Sequence, residues 1–229
     1  FEGIAGEIAH SLDFLESQAR DLPERQRSVR AAFDYSWRQL KPEEQRVFAS
    51  LSVFRGGFTR QAAQAIVGAG LPALRTLVNK SLVSANRQGR YEVHELLRQF
   101  GVERLEAEGW AEETHQAHSE YYLRALQQRE SHLRGGRQLE AMDEIEVELE
   151  NLRTAWQWAL TQRDLAGIDR ALESLQLFFY MRTRYQEGIS FLQPARKQLA
   201  PGSQETPHPT WGRILSRLAF LQAHFTEPS

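Results

Sequence analysis

One β-hairpin interrupts a chain that otherwise reads as helix, and its position limits the folds open to it. Leu82-Val83-Ser84 and Tyr91-Glu92-Val93 flank Asn86-Arg87-Gln88-Gly89. Two extended runs around a glycine-containing turn predict a hairpin. Upstream, Ser28 reads as the N-cap of a helix over 29–40, with Val29, Ala32, Phe33, Trp37 and Leu40 on one face. Lys41-Pro42-Glu43-Glu44 is a turn that opens the next helix, with proline near its start and acids in its first turn. Arg55-Gly56-Gly57-Phe58 is a glycine-broken extended piece. Thr59 caps a short helix carrying Ala62, Ala63 and Ile66, and Pro72 opens another over 73–80 with Leu74, Leu77 and Val78 inward.

Helix, helix, two short helices and a hairpin is the order of a winged helix-turn-helix domain. Ahead of it, Ile4, Ile8, Leu12 and Leu15 predict an amphipathic helix over 2–18, ended by Asp21-Leu22-Pro23. After Gly109 the chain changes character. Segments 112–133, 139–160, 166–181, 185–199 and 211–224 each read as an amphipathic helix with short connections. That succession predicts an antiparallel array of helical repeats. Leu172, Leu175, Phe179, Tyr185, Gly188, Leu192 and Ala195 match a tetratricopeptide-like pattern of small and aromatic positions. The expected fold is mainly α: a linking helix in 1–27, a winged helix with a small hairpin wing in 28–110, and a tetratricopeptide-like array in 111–229. Leu215, Leu218 and Ala219 look like the first helix of a further unit, so the natural protein is expected to continue past residue 229, and the start at Phe1 is expected to follow an earlier domain.

Composition narrows the function classes. The 229 residues contain no cysteine, which excludes disulfides, thiolate zinc sites and cysteine nucleophiles and fits a reducing cytoplasm. No apolar run approaches the roughly 20 residues that span a bilayer, so no membrane partner is expected. A net charge of −2 gives no global pull toward nucleic acid.

Three segments resemble a known class. They are 22–37, LPERQRSVRAAFDYSW; 48–58, FASLSVFRGGF; and 93–100, VHELLRQF. Together they resemble the region after the nucleotide-binding module of bacterial STAND signal-transduction ATPases, the NB-ARC-related class that includes many large transcriptional regulators. Segment 148–159, ELENLRTAWQWA, resembles the start of the helical-repeat sensor in the same proteins. The resemblance implies an upstream module in cis that binds ADP or ATP, a winged helix that holds its ADP form closed, and repeats that sense a trigger. The trigger is a small molecule, a peptide or a protein. The chain itself has no G-x-x-x-x-G-K-[ST] motif, so no cofactor is expected in this fragment and no enzymatic activity is assigned to it.

The resemblance also gives His94 a role. NB-ARC winged helices carry a Met-His-Asp triplet whose histidine reaches the ADP β-phosphate, and Val93-His94-Glu95 matches it at the histidine only. Read from the residues alone, His94 is either a helix N-cap or a half-buried core histidine. In the array, Trp158, Tyr180, Arg182 and Arg184 are candidate contacts for a ligand or partner, because exposed aromatics and arginines make good binding anchors. Trp156 lies on a stripe with Leu149, Leu152 and Ala159 and reads as core. His115 and His118 at i, i+3 lack a third ligand and read as a solvated helix start. The acidic run from Glu140 to Glu150 reads as a solvated face. A DNA-reading helix needs several basic residues, and the segment 72–81 offers only Arg75, Lys80 and Asn79, with Arg87 and Arg90 in the wing. DNA is therefore not an expected partner. The alternative is a DNA-binding winged-helix regulator with a helical dimerisation or effector arm.

Overall fold

The computed structural model describes residues 24–202 and 206–226, and of 24–29 and 226 the backbone only. The linking helix expected over 2–18 lies outside the described residues. The described residues fall into two compact units, divided between Gln45 and Arg46. In the first, helix α1 (Glu24–Arg38) starts earlier than expected. Ser28 is inside the helix and is not its N-cap, because Glu24-Arg25-Gln26-Arg27 are all good helix formers and carry the helix back past it. Trp37 and Leu40 are buried.

Helix α2 (Pro42–Leu51) opens with a side chain-to-backbone cap, the Lys41 N–H donating to Glu44 Oε2 at 2.9 Å. The rest of the winged helix follows as β1 (Phe58–Thr59), α3 (Arg60–Val67), α4 (Leu71–Asn79), β2 (Ser84–Ala85), β3 (Arg90–Glu92) and α5 (Glu95–Ala107). Thr59 accepts a hydrogen bond from the Ala62 N–H at 3.1 Å, and Gly68 closes α3 in the left-handed conformation at φ 69°. The strands form one antiparallel sheet in the order β1-β3-β2, with Phe58 opposite Tyr91 and Ser84 opposite Glu92. The glycine-broken piece therefore leads into a third strand, which pairs with the hairpin because Phe58 must be buried: it is 0% exposed and stacks on Phe54 at 4.5 Å.

The array begins with α6 (Ala111–Leu133), which packs along α3, α8 (Leu149–Thr161) and α9 (Leu165–Met181). Between α6 and α8 lies α7 (Gln138–Val147), and the array ends with α10 (Tyr185–Gln198) and α11 (Pro209–Thr226). The single helix expected over 139–160 is thus two, broken at Glu148, whose ψ of 7° leaves the helical range. The break lets Glu148 point inward while Ile145, Leu149 and Leu152 stay buried on both sides of it. The tetratricopeptide-like stripe falls on contacts between α9, α10 and α11. Phe179 packs on Phe191 at 5.5 Å, Trp156 on Phe191 at 5.7 Å, and Trp156 is buried as expected. Gly188 is needed here: a Cβ would lie 2.8 Å from that of Phe179 and 2.9 Å from a Leu221 methyl carbon. The fold is mainly helical, a winged helix followed by a helical-repeat array, and no helix among the described residues is long and apolar enough to cross a membrane.

Candidate nucleic-acid interface

Helices α3 and α4 are joined by the three residues Gly68-Ala69-Gly70 and bury Ala62, Ala63, Ile66, Leu74 and Leu77 between them and the domain core. Leu74 and Leu77 are fully buried, each contributing about 1.5–3 kcal/mol. Their burial fixes the rotation of α4, the second helix of the helix-turn-helix, and turns Pro72, Arg75 and Asn79 to solvent. The wing is held by Asn86, whose Oδ1 accepts from the N–H groups of Gln88 and Arg90, both at 3.0 Å. That Asx turn leaves Arg87 and Gln88 exposed at the tip.

Charge along this segment is one-sided. From Gln45 to Tyr91 there is no aspartate or glutamate, while Arg46, Arg55, Arg60, Arg75, Lys80, Arg87 and Arg90 are all basic. The signal is present in the sequence, but a whole-chain net charge of −2 conceals it. The structure divides these cations. Arg46 pairs with Glu113 at 2.8 Å, Arg55 lies 3.6 Å from Glu95, and Arg90 pairs with Glu148. Arg60, Arg75 and Arg87 are exposed and have no acidic partner among the described residues, and Lys80 is also exposed. The unpaired cations sit on the elements that a winged helix presents to a duplex: the helix-turn-helix and the wing.

Arg90 leads to the junction with the array. Glu148 holds its guanidinium, takes the Tyr122 hydroxyl at 3.2 Å and accepts from Asn151 Nδ2 at 2.8 Å. Asn151, 0% exposed, also donates to the Gly57 carbonyl at 2.9 Å and accepts the Arg55 N–H at 2.8 Å. Gly57 sits at φ 82° with its Cβ position 2.9 Å from the Tyr91 carbonyl oxygen, so a side chain there would press on the β3 backbone. His118 Nε2 lies 3.4 Å from Asn151 Oδ1, and its ring packs on Tyr122 at 4.7 Å and Phe54 at 5.5 Å. Burial pushes the His118 imidazole down to about 3 and the Tyr122 phenol well above its usual range. The Glu148 hydrogen bond holds Arg90 above its ordinary value. His118 is thus no solvated residue, because α6 is covered by its neighbours along that face, and Glu148 is the member of the acidic run that turns inward. Among the described residues no group of three metal-ligating side chains forms.

The other candidate residues lie apart from this junction. His94 is the N-cap of α5, exposed, with Nδ1 accepting from the Leu96 N–H at 3.4 Å. Trp158 is half-buried, stacked on His115 at 4.9 Å and donating to Gln116 Oε1 at 3.2 Å. Tyr180 packs on Phe220 at 5.1 Å and His224 at 5.0 Å near the α9–α10 corner. Arg182 and Arg184, at that corner, are engaged by Asp143, Glu146 and Glu187. They tie α7 to the corner, so binding a ligand there would first require breaking those pairs.

No family model and no solved structure matches the chain. Curated proteins similar to it include one of Mycobacterium tuberculosis and one of Mycobacterium bovis, each named "Putative HTH-type transcriptional regulator". Each is 31% identical over 199 residues, covering 81% of this chain and 22% of the relative. The chain therefore spans about a fifth of the length of the curated relatives it matches.

Proposed function

We propose that the chain is a regulatory part of a transcriptional regulator in which the winged helix contacts duplex DNA and the helical array governs it. The observation that carries this is the coincidence of the acid-free segment 45–91 with an open α4 and wing tip. The name of the relatives supports it and weighs against the expectation that DNA is not a partner. Arg75 and Asn79 of α4, Lys80 at its C-terminal cap and Arg87 of the wing are the contacting residues, with phosphate neutralisation as the main source of affinity. The Arg90–Glu148 pair keeps one wing cation on the array, so the same β3 that supports the tip is anchored to the repeats. The test is a titration of duplex DNA at several salt concentrations. Tight binding should weaken steeply with salt, and Arg75→Ala and Arg87→Ala should each lower the slope by about 0.9. Binding that is absent, or insensitive to both substitutions, would sink the reading.

The second reading keeps the winged helix as a clamp on an upstream nucleotide module of the STAND type, with repeats that receive a trigger. The exposed His94 ring at the N-terminus of α5 favours it, since backbone N–H groups there suit a phosphate. Purifying the natural full-length protein with and without His94→Ala decides it. ADP retained by the parent protein and lost from the variant supports the clamp, and equal retention removes it.

A further inference from the structure

A cavity of about 370 Å³ lies where the winged helix meets the array. Its volume is that of a small-molecule site. One wall is Gln61 of α3, and the opposite wall is the Tyr121, Arg124 and Gln128 face of α6. Those α6 residues are three and four apart, so they share one stripe of the helix. Ala62, Ala125 and Ile145 make an apolar floor.

The polar groups around it fall into two sets. Glu148 is matched by Arg90, and Glu144 by Arg129 at 2.8 Å. Arg129 also donates to the Ala125 carbonyl at 2.9 Å. By contrast, the side chains of Gln61, Arg124 and Gln128 take part in no hydrogen bond or ion pair among the described residues. Both carboxylates of the lining are thus engaged, Glu148 by an arginine from outside the cavity, and Arg124 is left as the cavity's one cation without an acidic partner among the described residues. Tyr121 and Tyr122 both line the cavity, their rings in a T-shaped pair with centroids 5.1 Å apart, which adds aromatic surface to it.

We propose that this cavity binds a small aryl carboxylate, its planar body on the apolar floor beside Tyr121, its carboxylate on Arg124 and its polar edge on Gln61 and Gln128. A guanidinium suits the carboxylate because it offers paired N–H donors in one plane. The ligand touches the winged helix through Gln61 and the array through Arg124, so it bridges the two where Arg90 and Glu148 already join them. The binding follows from the cavity alone, and its regulatory sense rests on the DNA-binding reading.

The test is calorimetric titration of the chain with indole-3-acetate and with indole-3-acetamide, its neutral counterpart. The acid should saturate the protein and bind at least about tenfold more tightly than the amide. Arg124→Ala, at an exposed position, should erase that preference. Ala125→Trp should fill the floor and abolish binding of both, with a melting curve checking that the variant is folded. Equal binding of acid and amide, or a preference that survives Arg124→Ala, overturns the anion site. No saturation by either compound up to about 10 mM, a free energy of only about −3 kcal/mol, overturns the cavity as an aryl-carboxylate site. Duplex titration with and without saturating indole-3-acetate tests the regulatory half. DNA binding that is present but unchanged by the ligand removes that half alone, whereas DNA binding that is absent in both removes the proposed function and leaves the calorimetric result standing.

Discussion

The winged helix and the array use arginine in opposite ways. In the array, arginines cross between helices to meet acids: Arg129 to Glu144, Arg153 to Glu187, Arg184 to Glu146 and Arg213 to Asp169. Each exposed pair contributes only about 0–1 kcal/mol, but together they fix which helix lies beside which. The acid-free winged-helix segment has no such internal partners. Its cations either reach acids elsewhere, as Arg46 and Arg90 do, or face solvent, as Arg75 and Arg87 do. A region that supplies no acids of its own leaves its positive charge for something else, and that contrast separates the half that holds shape from the half that can meet a polyanion.

The contrast can be broken first at the junction. Asn151→Leu removes the hydrogen bonds to Arg55, Gly57 and Glu148 and leaves buried backbone groups unsatisfied, so a loss of about 2–4 kcal/mol is expected in urea unfolding. A loss below about 1 kcal/mol would mean that the two halves are joined mainly by apolar packing. Inside the array, Gly188→Ala should cost about 1–3 kcal/mol through the Phe179 and Leu221 contacts, and should leave DNA affinity unchanged. A drop in DNA affinity with that variant would show that array packing sets the wing.

A smaller effect comes from acid. His118 is held neutral in the folded chain, with its value lowered to about 3 from an ordinary 6.5. Below pH 6.5 the unfolded chain takes up a proton that the folded chain refuses, so stability falls as pH falls toward 3 and is fully present above the ordinary value. Between pH 7 and pH 5 this histidine should account for roughly 2 kcal/mol of lost stability. Comparing wild type with His118→Gln over that interval isolates it, and parallel pH profiles would refute the assignment. The smallest effect is expected from Glu148→Gln, about 1 kcal/mol, with faster hydrogen exchange confined to β2 and β3 as Arg90 loses its charged partner. Exchange that quickens through the whole array would instead make Glu148 a general stabiliser.

Much of this was legible beforehand where the signal is local. Thr59 as a cap, Asn86 and Gly89 in the wing turn, and the Trp156 stripe all depend on residues a few positions apart. The errors came from long-range demands. Glu148 looked like one acid among many because nothing within the helix distinguishes it from Glu146 or Glu150. Arg90, fifty-eight residues away, Tyr122 and the docked Asn151 decide its role. His118 looked exposed because its apolar coverage comes from Phe54 and Tyr122, and Phe54 lies far upstream. The acid-free stretch was visible in the sequence, but only as a regional count.

The sequence by itself determined the helix-turn-helix-and-hairpin order, the helical array after Gly109 and the one-sided charge of 45–91, because caps, turns, periodicity and charge are properties of neighbouring residues. Only the tertiary structure decided that the expected helix over 139–160 breaks at Glu148, that Arg90 is anchored while Arg75 and Arg87 stay open, and that a cavity forms between α3 and α6. Ion pairs and cavities depend on which distant surfaces meet, and that is set by packing the whole core rather than by any one segment.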